Sequence, residues 1–256
     1  MRRLTLALLG LLAVASCATG RSQADQDRDA AMLASALHVA VVQGLTFDMT
    51  QELVLTGGQI PSGQEEDLRA TVTGGELAGS AAKFSYHIAQ GKQSATYDML
   101  TADGRLFVKQ HGATAWKVTP LASATALFPA LRLDLARETV LLAAAVSSAG
   151  VSHIAAGFAQ KYAVRPAPDQ LEELESIPVA GSAEDQFLKT ATAEVDVFVL
   201  VPGGHLGRVE VHVRGTDPSD GTTQQIQSAI DVRPARVAAI QAPSQAQAVA
   251  PSDILS

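Results

Sequence analysis

From Leu45 onward, apolar and polar side chains alternate with a period of two, in one segment after another. Successive side chains of a strand point to opposite faces, so this pattern builds sheets with one dry face and one wet face. Leu45, Phe47, Met49, Leu53 and Leu55 fall on one side of a first strand, with Asp48, Thr50 and Glu52 on the other. Leu68, Ala70 and Val72 repeat the pattern, as do Phe84, Tyr86 and Ile88, then Val209, Val211 and Val213 against Arg208, Glu210, His212 and Arg214. Turn residues separate the strands: Gly91-Lys92-Gln93, Asp103-Gly104, Gly203-Gly204 and the stretch from Asp217 to Gly221. Asp-Gly is a strong hairpin signal, because a two-residue turn of the favoured hand needs positive φ at both positions. Further strands are expected over Ser94–Ala102, Arg105–His111, Val151–Phe158, Gln160–Arg165, Leu188–Val201 and Thr222–Val232, with a short one opened by Trp116.

Two regions break the period. Asp27 to Gln43 carries Met32, Leu33, Ala36, Leu37 and Ala40 at helical spacing and stops at Gly44. Residues 120–148 are rich in Ala and Leu and read as a helix pair broken at Pro129. The window Thr139–Ala159 has no charged residue, but its Ser, Gly and His content makes a poor membrane span, and a buried helix followed by a strand is the better reading. A short capped helix is expected from Pro168 to Glu175, and the Ala-, Gln-, Pro- and Ser-rich tail, residues 244–256, is read as disordered. Strands, then helices, then strands give an α+β domain: one large curved antiparallel sheet, a half-barrel, with helices packed on its concave face.

The N terminus reads as export machinery rather than fold. Arg2 and Arg3 precede an apolar run from Leu4 to Val14, too short for a bilayer, which takes ~20 residues, but of signal-peptide length. Val14-Ala15-Ser16-Cys17 resembles a lipobox, and Cys17 is the chain's only cysteine. The expectation is a signal peptide over 1–16, acylation of Cys17, a tether over 17–26 and a domain over 27–243. Such a protein sits in the cell envelope, on the outer face of the cytoplasmic membrane or at an outer membrane. Cleavage there removes two arginines and no acid, taking the net charge from −7 to −9, the wrong sign for a nucleic-acid binder.

No motif for catalysis, cofactor or metal is found. The six histidines lack metal-ligand spacing and read as structural or surface residues. There is no G-x-S-x-G elbow. Asp25, Asp27 and Asp29 imitate the start of a calcium loop, but Ala30 and Ala36 stand where it needs Gly and Glu. Gly74, Gly75 and Gly79 imitate a phosphate loop without its lysine, and a strand bend is the better reading. A non-enzyme is expected.

The order of parts resembles the LppX/LprG family of bacterial lipoproteins, which share the LolA-like lipoprotein-carrier fold. The resemblance rests on the lipobox, the first helix, the meander from Asp103 to Lys109 followed by Trp116, the central Ala/Leu-rich region, and Ile230-Asp231-Val232 leading to Val237–Pro243. The loop Gly57–Glu66 and the tail have no counterpart. The resemblance implies a half-barrel clasped by helices around an apolar cavity that takes a lipid, glycolipid or acylated ligand for envelope transport. It also implies a membrane anchor and a possible transport partner. A non-enzymatic sensor or interaction module of the same fold is the alternative. The expected lining is Phe47, Met49, Leu53, Phe84 and Tyr86 from dry strand faces, with Leu127, Phe128, Leu131, Leu141 and Leu142 from the helix pair.

Overall fold

The computed structural model describes residues 23–58, 66–121, 145–165 and 190–255. Twelve strands form one open, curved sheet: β1 (Leu45–Gly57), β2 (Glu66–Ala78), β3 (Ala81–Gln90), β4 (Gln93–Ala102), β5 (Arg105–Gln110), β6 (Lys117–Pro120), β7 (Ala145–Ile154), β8 (Gly157–Arg165), β9 (Thr192–Leu200), β10 (Leu206–Thr216), β11 (Thr222–Pro234) and β12 (Gln247–Ala248). Their order is β12-β6-β5-β4-β3-β2-β1-β11-β10-β9-β8-β7. Two meanders meet at the centre, where β1 pairs with β11 along its whole length. All pairings are antiparallel except β12 on β6. The strands β6 and β7, consecutive in the chain, lie on opposite flanks.

Alternation sorts the side chains as expected. One face gathers Leu45, Phe47 and Met49 of β1, Val72 of β2, Phe84 and Tyr86 of β3, Met99 of β4, Val197 of β9 and Ile230 of β11 into a single buried cluster. Against it lies α1 (Gln23–Gln43), the one α-helix among the described residues, through Leu33 and Ala36. The other face carries ion pairs: Asp48 with Arg233, Arg69 with Glu52, and Arg208 with Glu210 and Asp231.

The Thr73-Gly74-Gly75 run is a strand bend. The β1–β2 register shifts between Phe47 and Met49. Gly74, at φ +61°, supplies the left-handed residue that such a bulge favours, and its N–H donates to Asp48 Oδ1 at 3.1 Å. At Gly75 the reason is space, since a Cβ there would lie 2.6 Å from the Phe47 ring.

Several expectations are corrected. The helix α1 begins at Gln23, inside the expected tether. Residues 120–148 are not helical throughout: Pro120 ends β6, where a missing N–H costs little, and β7 starts at Ala145. Pairing of Val146 with Val164 and of Ser148 with Tyr162 outweighs the helix propensity of an Ala-rich stretch. Val151–Phe158 is not one strand but the end of β7, a turn at Ala155-Ala156 and the start of β8, a hairpin without a composition signal. Ala145–Ile154 being strand also agrees with rejecting a membrane helix there, and among the described residues no helix is long and apolar enough to cross a membrane. The tail expected to be disordered is placed: Gln247-Ala248 pairs with β6, and Ile254 is buried. Residues 1–22, most of the loop after Gly58, the core of the expected helix pair and the helix Pro168–Glu175 lie outside the described residues.

Gly75→Ala should destabilise the domain by about 1–3 kcal/mol, the range for overpacking a full core. Pairing it with Phe47→Leu should recover part of that loss in urea melts. Additive effects would mean that the Phe47 ring does not set the need for glycine.

Candidate functional site

Four of the ten expected lining residues come together on the apolar face. Phe47 and Phe84 face each other with ring centroids 6.2 Å apart, and Met49 and Tyr86 belong to the same buried cluster. Leu53, further along β1, is half-buried and outside that cluster. Leu127, Phe128, Leu131, Leu141 and Leu142 lie outside the described residues, as does Cys17. The described part of the candidate site is therefore a strand-built floor. Burial pushes the Tyr86 phenol up to about 12.

At one corner this face runs out into solvent. The residues Phe158, Gln160 and Tyr162 alternate along β8 on the side of the core. Phe158 is 64% exposed, Val151 63% and Val201 51%. They are neighbours: His153 opposes Phe158 with the rings 5.1 Å apart, Val151 opposes Gln160, and the Val201 N–H donates to the Phe158 carbonyl. Residues 145–160 and 197–207, which build this corner, contain no Asp, Glu, Lys or Arg. The sequence expectation for the uncharged window Thr139–Ala159 is a buried helix followed by a strand, whereas its described part belongs to the β7–β8 hairpin. Beneath the C-terminal half of α1, a slit between Ala36, Val39, His205 and Leu206 has a volume of about 10 Å³, too small for more than a water.

The wet face has its own concavity, about 500 Å³, lined by Glu52, Arg69, Arg208, Glu210, His212 and Gln227 among others. Its charges are already paired. Arg69 holds Glu52 and Asp67 at 2.9 Å, and Arg208 holds Glu210 at 2.6 Å and Asp231 at 3.0 Å. Beside it Asp196, Glu210 and His212 bring one ligand atom each within 4.8 Å of the others. Sequence reading missed this trio, because only the β9–β10 register sets Asp196 opposite Glu210. Asp196 is buried with Lys161 Nζ 2.6 Å from its Oδ2, and that hydrogen bond, with Glu210 and Glu194 nearby, raises Lys161 above the usual lysine range against partial burial. With lysine on one carboxylate and arginine on another, the group reads as an ion-pair network rather than a metal centre.

The histidines are exposed wherever their side chains are described. His87 bonds Thr96 Oγ1 and His111 bonds Asp98, both at 2.9 Å. Burial works to raise Asp98, but hydrogen bonds from His111 and Lys109 outweigh it and hold the carboxyl below its usual value.

No protein-family model matches the chain, and no curated protein does. Among solved structures it is similar to LprF from Mycobacterium bovis, at 12% identity and a TM-score of 0.44 over 86% of this chain and 97% of that one. It is also similar to lipoprotein LppX from Mycobacterium tuberculosis, at 13% identity and a TM-score of 0.39 over 78% and 93%. A LolA superfamily protein from Nitrosomonas europaea matches at 10% identity and a TM-score of 0.32 over 81% and 94%.

The Tyr86 shift fixes a pH dependence. Its folded pKa stands above the unfolded value, so its contribution is full below about pH 10 and is lost as pH rises toward 12. Roughly 2–3 kcal/mol should disappear across that window. Tyr86→Phe should flatten this part of a urea-midpoint profile. An unchanged alkaline slope would place the titration elsewhere.

Proposed function

We propose that this chain is a lipid-anchored envelope lipoprotein that binds a lipid, glycolipid or acylated ligand on the apolar face of its sheet, without catalysis. The observation that carries the reading is the uncharged corner at Val151, Phe158 and Val201. There a buried apolar face continues directly into exposed apolar side chains on the same side of the strands. Exposed apolar side chains that adjoin one another mark binding surfaces more than scattered ones do. An acyl chain suits it by chemistry, since each buried CH₂ contributes about 0.8 kcal/mol and no polar partner is needed. In the proposal Phe47, Met49, Leu53, Phe84 and Tyr86 form the floor, and Leu127, Phe128, Leu131, Leu141 and Leu142 complete the lining. Transport through the envelope, with a partner that receives the ligand, is the proposed use. A sensor or protein-interaction module would share the corner but would not take up lipid.

Anchoring is part of the proposal and rests on the sequence from Arg2 to Cys17. Protein taken from the native membrane should begin at an acylated Cys17, palmitate being one expected chain, and Cys17→Ser should release it. A mature terminus elsewhere, seen by mass spectrometry, would remove the anchor.

Lipid uptake has a direct test. Native mass spectrometry of the Cys17→Ser chain should show co-purified lipid. Phe158→Asp should lower occupancy by about tenfold while leaving the melting temperature within a few degrees, because the side chain is mostly solvated. Folded protein without lipid from any source would count against the reading.

A further inference from the structure

The C-terminal segment clasps one flank of the sheet. Beyond β11, Ile240 and Ala242 pack on the polar side, against a small cluster of Leu100, Ala102 and Phe107. The chain then turns around the edge. The N–H groups of Gln247 and Val249 donate to Trp116 and Val118 carbonyls at 2.8 and 3.0 Å. It ends on the apolar side, where Ile254 is 2% exposed within the same cluster as Met99 and Val108. Tyr97 Oη donates to the Leu255 carbonyl at 2.8 Å, and Lys117 Nζ to the Asp253 carbonyl at 3.1 Å.

We infer that residues 247–255 are a displaceable occupant of the ligand face: Ile254 fills the seat that the far end of a bound acyl chain takes over. The inference rests on the lipid-binding reading above and adds to it the place where the chain ends and what closes that place meanwhile. Two features support displacement. The attachment is slight, a parallel pairing of two residues, whereas β1 and β11 pair over thirteen. And the segment Pro243–Ser252 has no charged side chain and no strong strand or helix formers beyond scattered Ala and Val, so its register is set by the seat of Ile254, flanked by partly buried Val249 and Leu255, and by a few backbone hydrogen bonds rather than by its own propensity. Ile254 is also chemically apt: a branched aliphatic group set on a face of Met and Val side chains is matched there by the end of an acyl chain. The hydrogen bonds described for this segment are made by its backbone, through the N–H groups of Gln247 and Val249 and the carbonyls of Asp253 and Leu255, and water can satisfy these groups on release. Release would also bare the edge of β6, so the segment protects that edge whenever the seat is not taken by ligand.

The test uses the full chain carrying Cys17→Ser and palmitate as the probe, with amide hydrogen exchange read at Gln247, Val249 and, as control, Phe107 in β5. Palmitate should speed exchange at Gln247 and Val249 and leave Phe107 unchanged. Ile254→Ala should do the same without palmitate and should tighten palmitate binding by about tenfold, because the competing occupant is weakened. If palmitate binds but exchange at Gln247 and Val249 does not move, and Ile254→Ala binds no tighter, the segment is a fixed part of the fold. In that case the inference falls and the lipid reading stands. Loss of protection at Phe107 in Ile254→Ala would show Ile254 to be structural core and would equally overturn it. If neither protein binds palmitate or any co-purified lipid, the lipid reading fails, and the inference with it.

Discussion

Phe47, Met49, Phe84, Met99 and Val197 come from strands scattered along the chain, yet period-two alternation puts all of them on one side of one sheet. That side has to be kept from water, and an open sheet cannot do so alone. The helix α1 supplies cover through Leu33 and Ala36, and the C-terminal segment supplies it at the opposite flank through Ile254. The wet face imposes no such demand. Its charges pair with one another across strands, and exposed pairs of this kind contribute little individually. Burial of the apolar side therefore contributes more to holding the sheet than its surface charges do, and the topology serves that burial. Two meanders joined at β1 and β11 bring both halves of the chain onto the same dry surface.

The bulge at Gly74-Gly75 shows how the two faces cooperate at short range. A strand carrying Val72 and Leu77 on the dry side needs one extra residue between them, since five positions would otherwise place them on opposite faces. Gly74 makes the turn and hands its N–H to Asp48 on the wet face, where Arg233 holds the other carboxylate oxygen at 3.0 Å. Gly75 leaves the space that Phe47 fills. A polar network on one side thus fixes where an aromatic ring can sit on the other.

Much of this was legible in the sequence because it is local. The alternation of β1, β3 and β10, the hairpin at Asp103-Gly104 with φ of +51° and +69°, and the strand bend at Gly74-Gly75 each depend on a few adjacent residues. What could not be read depends on pairing across the chain. Ala145–Ser148 looks helical by composition, and only the partners Val164 and Tyr162 make it a strand. Asp196 meets Glu210 through the β9–β10 register and meets Lys161 from β8. The tail has the composition of a disordered segment, and its order comes from contacts distant in sequence: buried Ile254 with Val249 and Leu255 beside it, the edge of β6, and the Tyr97 bond to Leu255. In the candidate site the same division holds. Phe47, Met49, Phe84 and Tyr86 followed from alternation, whereas the corner at Phe158 and Val201 needs the β7–β8 turn and the β8–β9 pairing to be known.

The two flanks of the apolar face end differently, and on the proposed reading that difference gives the site a direction. At β7–β8 the face ends in exposed Phe158, Val151 and Val201, on stretches of chain, residues 145–160 and 197–207, that carry no charged side chain. At β4–β6 it ends under Ile254, sealed by the protein's own chain and by the Tyr97 bond to Leu255. On this reading an apolar ligand meets the least resistance at the first flank, where Phe158, Val151 and Val201 are already exposed. It meets the most at the second, where a protein contact must break. Binding would proceed inward from Phe158, and release of the C-terminal segment would come last, after the rest of the chain is already buried. Dissociation by the same path begins with Ile254 returning to its seat, so the apolar face need not be bared to water between one ligand and the next.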